Sequence, residues 1–524
     1  MLLNFMLLHP FLPQQKLFKA YDIRGDVRLF SDDFLWALAN SLAKQYARSN
    51  ASEIMIGYDV RLQSREIANF LALACEQQGL TVYWLGQVTT PMMAYMAHQR
   101  SGNGMMVTAS HSERHINGIK WLINGESPSS QDIEQLYFSL ADEPATLPSQ
   151  DVYQQLQQAL LNRPQIDAFA AYQADMQRAL STIQKTYNAN LTTPNNSNRP
   201  LIPKRLVIDC MHGATSIFAK TLFSGLGYDC IMLNDEPNGL FPAGNPDPTE
   251  TGRLSELSAM VVTYQADLGL AFDGDGDRLM VVTATGAVVT PDHLLYLLAT
   301  IALDEAPNKQ GIEASKSEVI FDVKCSHHLP QLIVARGAIP VMEKTGSSLM
   351  RKSLQNKSRN SVFAGELSGH FLFNDGYFVL HDDAMYAAAR LLNWLAHQPN
   401  SLLDILMALP LSISTADMYL PIDTSEAGQQ LVSQLIQLSK NLFSALKQAF
   451  NVKQMNTIDG LRLDFARGFG IVRKSNTGNF LTVRFCGDSL DDLYQVQTVF
   501  VDLCRSVDTQ LAEQVANIQP LTAA

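Results

Sequence analysis

The sequence predicts a series of layered α/β domains followed by a separate C-terminal α+β domain. Two observations favour this fold class: apolar strands alternate with helical patterns over most of the chain, and the C-terminal part has longer helical patterns around short strands. Alternating strands and helices are typical of sheets that are largely parallel. The chain has 524 residues, more than one hydrophobic core supports, so we expect about three or four domains.

The elements can be assigned in chain order from apolar runs and helical spacing. In the α/β part we expect strands at residues 53–58, 81–85, 206–209, 229–233, 319–323 and 339–342, with helices at 66–78 and 215–226. In the C-terminal part we expect helices at 427–449 and 490–512 and a strand at 481–485. Two polar stretches, residues 127–149 and 188–203, are predicted to be linkers or surface insertions.

Composition excludes several classes of partner. The net charge is −12, which argues against nucleic acid or an anionic membrane as a partner. No apolar run reaches the roughly 18 residues that a membrane span needs. The six cysteines lack metal-type spacing, and the apolar first eleven residues lack a basic start and a cleavage site. We therefore expect a cytoplasmic protein with reduced thiols.

An acidic loop carries the strongest chemical signal. Asp273, Asp275 and Asp277 follow a buried strand, and glycines between them allow a tight turn in which three carboxylates converge on one hard cation. A calcium-binding helix–loop–helix is excluded, because Arg278 stands where that loop needs Gly and Ala284 where it needs Glu. A purely structural acidic turn remains open.

A second motif places a hydroxyl beside an imidazole. Ser110 and His111 lie in the motif at residues 106–112, where an apolar strand runs into a small-residue turn. Such a turn exposes a hydroxyl that a His or a metal can activate. The alternative is a Ser/Thr cap on a following helix. Lys120 adds a cation nearby, and Arg24 can offer a fork to phosphate. The alternative for Arg24 is an ion pair with Asp22 or Asp26.

Two glycine-containing loops suit a phosphorylated sugar. Glu366 and Ser368 lie between glycines at 365 and 369, where a carboxylate and a hydroxyl can pair with sugar hydroxyls. The loop at residues 473–478 combines cations, hydroxyls and backbone N–H groups into an anion cradle. A solvated turn is the alternative in both places.

Taken in order, these motifs resemble the α-D-phosphohexomutase family, most closely its bacterial phosphomannomutase/phosphoglucomutase branch. The resemblance runs from Phe18 to Arg484. It implies a heart-shaped, four-domain architecture around a central cleft, with three similar α/β domains and a mobile α+β domain. We place their boundaries at residues 1–165, 166–286, 287–411 and 412–524.

The resemblance also implies a reaction and a cofactor. Phosphate moves between the C1 and C6 oxygens of a hexose through a phosphoserine and a hexose 1,6-bisphosphate, with Mg²⁺ as cofactor and glucose 1,6-bisphosphate as activator. Partners are then small-molecule hexose phosphates, and we expect a monomer. Mannose and glucose phosphates are both expected substrates, because the sugar must turn over in the site and C2 need not be recognised.

Residue roles follow from the motif correspondence. Ser110 carries the phosphate and binds the metal together with Asp273, Asp275 and Asp277, while Arg24, His111 and Lys120 stabilise charge and move protons. The implied substrate-binding residues are Tyr21, Arg278, Lys324, Glu366, Ser368 and His370, and the implied phosphate-binding residues are Arg473, Ser475, Asn476 and Thr477.

The chain departs from the family pattern in several loops. Ser112 replaces the usual Asn after the Ser-His pair, and Ser347 replaces a His that normally lies near the reacting hydroxyl. Lys120 or His370 could compensate for that imidazole. A catalytically weak binding homologue, a mutase for another sugar such as glucosamine phosphate, and a metal-dependent phosphatase are the alternatives.

Overall fold

The computed structural model describes residues 9–143, 146–190, 204–310, 316–475 and 478–521. It divides into two compact units. The first unit is Met1–Val289 with Gly369–Ser401, and the second is Thr290–Ser368 with Leu402–Ala524. Across the described ranges, no helix combines the length and the apolar character that crossing a bilayer would take.

The N-terminal region of the first unit is built on a five-stranded sheet. Its strands are β1 (Ile23–Asp26), β2 (Glu53–Tyr58), β3 (Thr81–Gln87), β4 (Gly104–Val107) and β5 (Ile116–Leu122), in the order β1-β5-β4-β2-β3. Strands β2, β3 and β4 are parallel, and β5 pairs antiparallel with β4 and β1. Its helices are Asp32–Arg48, Ser64–Gln77, Thr90–His98, Ser130–Ser139 and Gln150–Asn162.

The predicted linker at residues 127–149 is wrong. It contains the helix Ser130–Ser139, which begins with a capping box between Ser129 and Asp132 and buries Ile133 and Leu136. The polar residues of the segment lie in the cap and on the exposed face of the helix. The high average polarity of the segment therefore gave no indication of the apolar face that the helix buries. The other predicted linker, at 188–203, lies outside the described residues except for the end of the helix Ala168–Asn190.

The second region carries the acidic loop at the end of a buried strand. Its four strands are β6 (Arg205–Asp209), β7 (Asp229–Leu233), β8 (Leu268–Phe272) and β9 (Leu279–Thr283), in the order β7-β6-β8-β9. Only β9 is antiparallel to its neighbour. The predicted helix at 215–226 is interrupted at Phe218, between the 3₁₀ turn Ala214–Ile217 and the helix Ala219–Gly225, and Ser255–Thr263 is the other helix.

The third region again places a parallel sheet beneath helices. Strands β10 (Glu318–Asp322), β11 (Ile339–Glu343) and β12 (Ser361–Gly365) run in the order β11-β10-β12. The helices Pro291–Gln310, Leu329–Ala335 and Ser347–Gln355 belong to the same unit. Strand β13 (Phe371–Phe373) and the helix Ala384–Leu395 lie in the first unit.

The C-terminal region is an antiparallel sheet with helices. Its strands are β14 (Ile413–Ser414), β15 (Met418–Pro421), β16 (Val452–Asn456), β17 (Leu461–Phe465), β18 (Gly468–Lys474) and β19 (Phe480–Gly487). They run in the order β14-β19-β18-β17-β16, and β15 also pairs with β19. The helices are Leu402–Met407, Ser425–Phe450, Leu490–Arg505 and Thr509–Ala516.

The predicted fold class is confirmed: three α/β regions precede an α+β region. One predicted helix, at 490–512, is two helices, because Asp508 caps the second by accepting a hydrogen bond from the N–H of Leu511. The four domain boundaries stay a prediction.

Candidate active site

The turn that carries Ser110 follows β4 directly. Ser110 has a φ of +52°, and its N–H donates to the Thr108 hydroxyl at 2.9 Å. This uncommon backbone conformation is held in a buried turn, where Ser110 is only 2% exposed. The turn leads into β5 rather than into a helix, so the alternative of a helix cap is wrong. The Ser110 hydroxyl donates instead to Asp273 Oδ2 at 2.7 Å.

The acidic loop gathers its carboxylates as the spacing predicts. Asp273 Oδ1 accepts hydrogen bonds from the N–H groups of Gly276, Asp277 and Arg278 at 3.0–3.2 Å. Gly276 has a φ of +80°, which closes the turn without a side-chain clash. The three aspartates are buried, and one oxygen from each lies within 4.8 Å of the others.

Lys120 neutralises part of this negative charge. Its ammonium lies 2.8 Å from Asp275 Oδ2 and 2.8 Å from Asp277 Oδ2. Burial alone would lower the pKa of Lys120, but the two carboxylates raise it above its ordinary value. Burial also opposes the charge of Asp277, yet Lys120 and His370 hold the pKa of that carboxyl well below its ordinary value.

Asp273 is the carboxyl that resists ionisation. Burial, with Asp277 and Asp275 beside it, raises the pKa of Asp273 well above its ordinary value of 3.8. The buried Oδ1 of Asp275 has no hydrogen-bond partner among the described residues. Buried carboxylate oxygens without partners are suited to a hard divalent cation, so the residues present fit a metal ion of the Mg²⁺ type.

His111 lies next to the serine hydroxyl as an uncharged imidazole. Its Nδ1 is 3.3 Å from Ser110 Oγ, and its Nε2 is 3.4 Å from Nη2 of Arg278. Desolvation and the Arg278 guanidinium hold the pKa of His111 well below its ordinary value, although Asp247 acts in the opposite direction. A guanidinium donates but does not accept, so Nε2 of His111 accepts from Arg278 and Nδ1 carries the proton that faces Ser110 Oγ. His111 is therefore placed to exchange a proton with the serine oxygen.

Arg24 forms the ion pair that was the alternative interpretation of its sequence position, and it also reaches the serine turn. Its guanidinium pairs with Asp22 at 2.5 Å and also donates to the carbonyl oxygen of Ala109 at 3.2 Å, next to Ser110. Tyr21, predicted to bind substrate, precedes β1 and is partly exposed. Arg24 therefore reaches the serine turn while its charge is already shared with a carboxylate.

His370 joins the acidic loop from a distant part of the sequence. Residues 278 and 370 form an antiparallel backbone bridge, and His370 Nε2 lies 3.2 Å from Asp277 Oδ1 and 4.0 Å from Asp382 Oδ2. The predicted substrate-binding residues Arg278 and His370 are thus within the same cluster as the predicted metal ligands.

Sequence reasoning missed two residues that shape this site. The guanidinium of Arg61 donates to the carbonyl oxygens of Ser110 at 2.8 Å and Ser112 at 2.6 Å, and it pairs with Asp59 at 3.1 Å. The Thr90 hydroxyl donates to Asp275 Oδ2 at 2.5 Å. Thr90 begins a helix, and Arg61 follows a predicted strand. Neither position in the sequence indicates which residue the side chain contacts.

The second unit holds three of the predicted substrate-binding residues, Lys324, Glu366 and Ser368. Glu366 follows β12 and accepts a hydrogen bond from the N–H of Gly346 at 2.6 Å, while Ser368 is partly exposed. Lys324 pairs with Asp417 at 2.6 Å. Burial opposes the charge of Lys324, but its carboxylate neighbours raise its pKa.

The start of the predicted phosphate loop is joined to the loop that immediately precedes Ser347. Asp459 Oδ2 accepts from Nε of Arg473 at 2.8 Å and from the N–H of Thr345 at 3.1 Å. Nη2 of Arg473 is buried without a hydrogen-bond partner in the described part of the chain, so this guanidinium has a donor to spare. The N–H of Ser475 donates to Phe480 at 3.0 Å, and Asn476 and Thr477 lie outside the described residues.

Family comparisons match most of the sequence. Residues 15–144, 183–286 and 290–412 match, in turn, alpha/beta/alpha domains I, II and III of phosphoglucomutase/phosphomannomutase. The acidic loop lies in the second of these ranges and Ser110 in the first.

Individual relatives match nearly end to end. The chain is 33% identical over 489 residues to a phosphoglucomutase from Neisseria gonorrhoeae, covering 92% of this chain and 95% of that protein. It is 31% identical over 505 residues to a phosphomannomutase/phosphoglucomutase from Pseudomonas aeruginosa, covering 96% and 98%. A solved phosphoglucomutase/phosphomannomutase family protein from Burkholderia thailandensis is 28% identical, with a TM-score of 0.72 over 96% of this chain and 99% of that one.

Proposed function

The chain belongs to the phosphoglucomutase/phosphomannomutase family of phosphosugar mutases, the α-D-phosphohexomutases, and we propose that it transfers phosphate between the C1 and C6 oxygens of a hexose through Ser110. The observation that carries the proposal is the hydrogen bond of 2.7 Å from the Ser110 hydroxyl to Asp273. It ties a buried nucleophile to three carboxylates that suit a divalent cation.

Mg²⁺ is the cofactor that the donor set favours. Asp273, Asp275 and Asp277 would hold it together with an oxygen of phosphorylated Ser110. When bound, the ion neutralises phosphate charge during transfer. A phosphoserine carries about −1.5 to −2 charges at neutral pH, so further cations are needed. Lys120 remains protonated between two carboxylates and supplies such a charge.

The chain's own groups account for the bonds and the proton of the transfer step. A sugar hydroxyl oxygen forms a bond to the phosphorus, the bond from phosphorus to Ser110 Oγ breaks, and the leaving serine oxygen takes up a proton as the sugar hydroxyl releases one. His111, with Nδ1 at 3.3 Å from Ser110 Oγ, is the group that carries this proton to the serine oxygen. Arg24 and Arg278 stabilise the charge that develops on the phosphoryl oxygens.

The intermediate is a hexose 1,6-bisphosphate, which reverses its orientation in the site before the second transfer. Added glucose 1,6-bisphosphate activates the enzyme by phosphorylating Ser110. Glu366 and Ser368 contact the C3 and C4 hydroxyls in both orientations. Lys324, His370 and Tyr21 complete the sugar contacts, and Arg473, Ser475, Asn476 and Thr477 bind the phosphate that is not transferred. Hexose phosphates are the partners of a cytoplasmic monomer that uses neither nucleic acid nor a membrane.

A coupled mutase assay tests this proposal. Wild type and Ser110→Ala are compared on glucose 1-phosphate and mannose 1-phosphate, with and without glucose 1,6-bisphosphate. We expect the wild type to use both sugars with kcat/KM values within about 100-fold of each other. Ser110→Ala should lose turnover on both, while Ser112→Ala, at the neighbouring hydroxyl, should retain it. Equal turnover by Ser110→Ala would overturn the proposed mechanism.

A further inference from the structure

The second unit contains a cluster of metal-ligating side chains apart from the acidic loop. His327 Nε2 lies 3.0 Å from Asp488 Oδ1, and His328 Nε2 lies 2.9 Å from the same oxygen. One ligand atom from each of the three residues lies within 4.8 Å of those of the other two. Two imidazole nitrogens and one carboxylate oxygen thus converge on one point.

The backbone on both sides of this cluster is fixed by independent hydrogen bonds. The N–H of Ser326 donates to Asp292 Oδ1 at 2.6 Å, and the N–H of His328 donates to the Ser326 hydroxyl at 3.3 Å. Asp488 follows β19, and its N–H donates to the carbonyl oxygen of Arg467 at 3.1 Å. The three side chains are therefore brought together by the fold, and a ligand would meet a largely preformed site.

Hydrogen bonding leaves this cluster incompletely satisfied. Only His327 is aligned to bond with Asp488 Oδ1, whereas His328 Nε2 is buried and has no hydrogen-bond partner in the described ranges. The other oxygen of Asp488 faces Nε of Arg467 at 3.5 Å. A buried nitrogen without a partner is unfavourable, and a cation between the three atoms would give each of them a bond.

We propose that His327, His328 and Asp488 form a binding site for a divalent transition metal, with Zn²⁺ as the best match. Zinc takes imidazole nitrogen and carboxylate oxygen at about 2.0–2.2 Å in tetrahedral sites, where ligand atoms are about 3.3 Å apart. The distances of 2.9 and 3.0 Å require only a slight opening of the cluster. Imidazole ligands disfavour Mg²⁺, so the two metal sites differ in preference.

The ion would join two distant parts of the second unit. His327 and His328 immediately precede the helix Leu329–Ala335, whereas Asp488 lies between β19 and the helix Leu490–Arg505. The side chains of His328 and Asp488 are 18% and 25% exposed, which leaves a path for an ion and room for water as the fourth ligand. The site therefore serves stability of the fold rather than phosphate transfer.

Zinc binding to the full-length protein tests the proposal. The protein is first treated with chelator and then given excess Mg²⁺, which occupies the acidic loop. Zn²⁺ is titrated into this protein, and the bound zinc is measured after gel filtration. We expect one bound equivalent in wild type, its loss in His328→Ala and Asp488→Asn, and its retention in His115→Ala. His115 is the matched control, because it also lies beside a carboxylate, Glu113 at 3.3 Å, but is exposed.

A second measurement keeps the outcome independent of folding defects in the variants. Co²⁺ bound to wild type should give visible ligand-field bands of a tetrahedral site, and Zn²⁺ should displace them and raise the melting temperature. Wild type that binds no zinc under these conditions would overturn the proposal. Loss of the bound equivalent in Asp275→Asn but not in His328→Ala would overturn it equally, because the ion would then reside in the acidic loop.

Discussion

Arg61 shows how a single buried side chain shapes the reacting turn. Its guanidinium bonds to four carbonyl oxygens between Ser110 and Ile116, and its charge is balanced by Asp59. Both side chains are 1% exposed. Arg61 does not contact the reacting hydroxyl, so it is a positioning residue that holds Ser110 in its uncommon backbone conformation.

Replacing this residue should affect both stability and turnover. Arg61→Met leaves the Asp59 carboxylate buried without its partner, which should cost about 3–5 kcal/mol in the free energy of unfolding. A shifted Ser110 should lower kcat by about 100-fold even at temperatures where the variant is folded. Denaturant unfolding and the mutase assay measure the two effects.

Arg28→Met is the matched control, since Arg28 pairs with Asp26 at the same sequence spacing but is exposed. We expect no measurable change in that variant. An Arg61→Met protein with wild-type stability and kcat would refute the positioning role.

The same comparison shows what a residue pattern leaves open. Aspartate and arginine are separated by one residue at Asp22 and Arg24, at Asp26 and Arg28, and at Asp59 and Arg61. Only the third pair is fully buried, because it follows the internal strand β2, whereas the other two pairs lie at the edge strand β1. Burial depends on strand order, which the local sequence does not contain.

Among the elements, the acidic loop was predictable because its chemistry is local. Alternating carboxylates and glycines after an apolar strand define the turn. A strand of the same sheet was also predictable, because the predicted strand at 229–233 matches β7 residue for residue. Helix interruptions were not predictable, since apolar spacing continues through Phe218 and through residues 506–508. A short break alters capping hydrogen bonds without altering the average pattern.

The charge state of the acidic loop predicts a pH-dependent response to metal. The pKa of Asp273 is raised well above 3.8 in the folded protein, so its bound proton stabilises the fold at low pH. That stabilisation is lost as the pH rises through the raised pKa, and a divalent cation can then replace the proton.

We therefore expect the rise in melting temperature caused by Mg²⁺, relative to chelator, to increase as the pH rises through the raised pKa of Asp273. Thermal unfolding at several pH values measures it. Asp273→Asn should remove most of the pH dependence, because the amide does not titrate. A Mg²⁺ effect of the same size at every pH would contradict this electrostatic account.

At the scale of the whole molecule, the site within the first unit joins residues that are far apart in sequence. Ser110 and Asp273 are separated by 163 positions, yet their side chains are 2.7 Å apart. No local pattern predicts that contact. The sequence predicted that Ser110 and Asp273 act together only because their motifs occur in the order that resembles the family. The contacts of His370 with Asp277 and of Asp459 with Thr345 likewise depend on long-range topology.

The measurement that tests the central claim most directly is the fate of the phosphate of glucose 1,6-bisphosphate labelled with radioactive phosphorus. After a brief incubation with Mg²⁺, the protein is digested and its labelled peptide identified by mass spectrometry. We expect the label on the peptide containing Ser110, and its transfer to added glucose 1-phosphate or mannose 1-phosphate in a single turnover. A protein that converts these sugars without ever carrying the label on Ser110 would contradict the account.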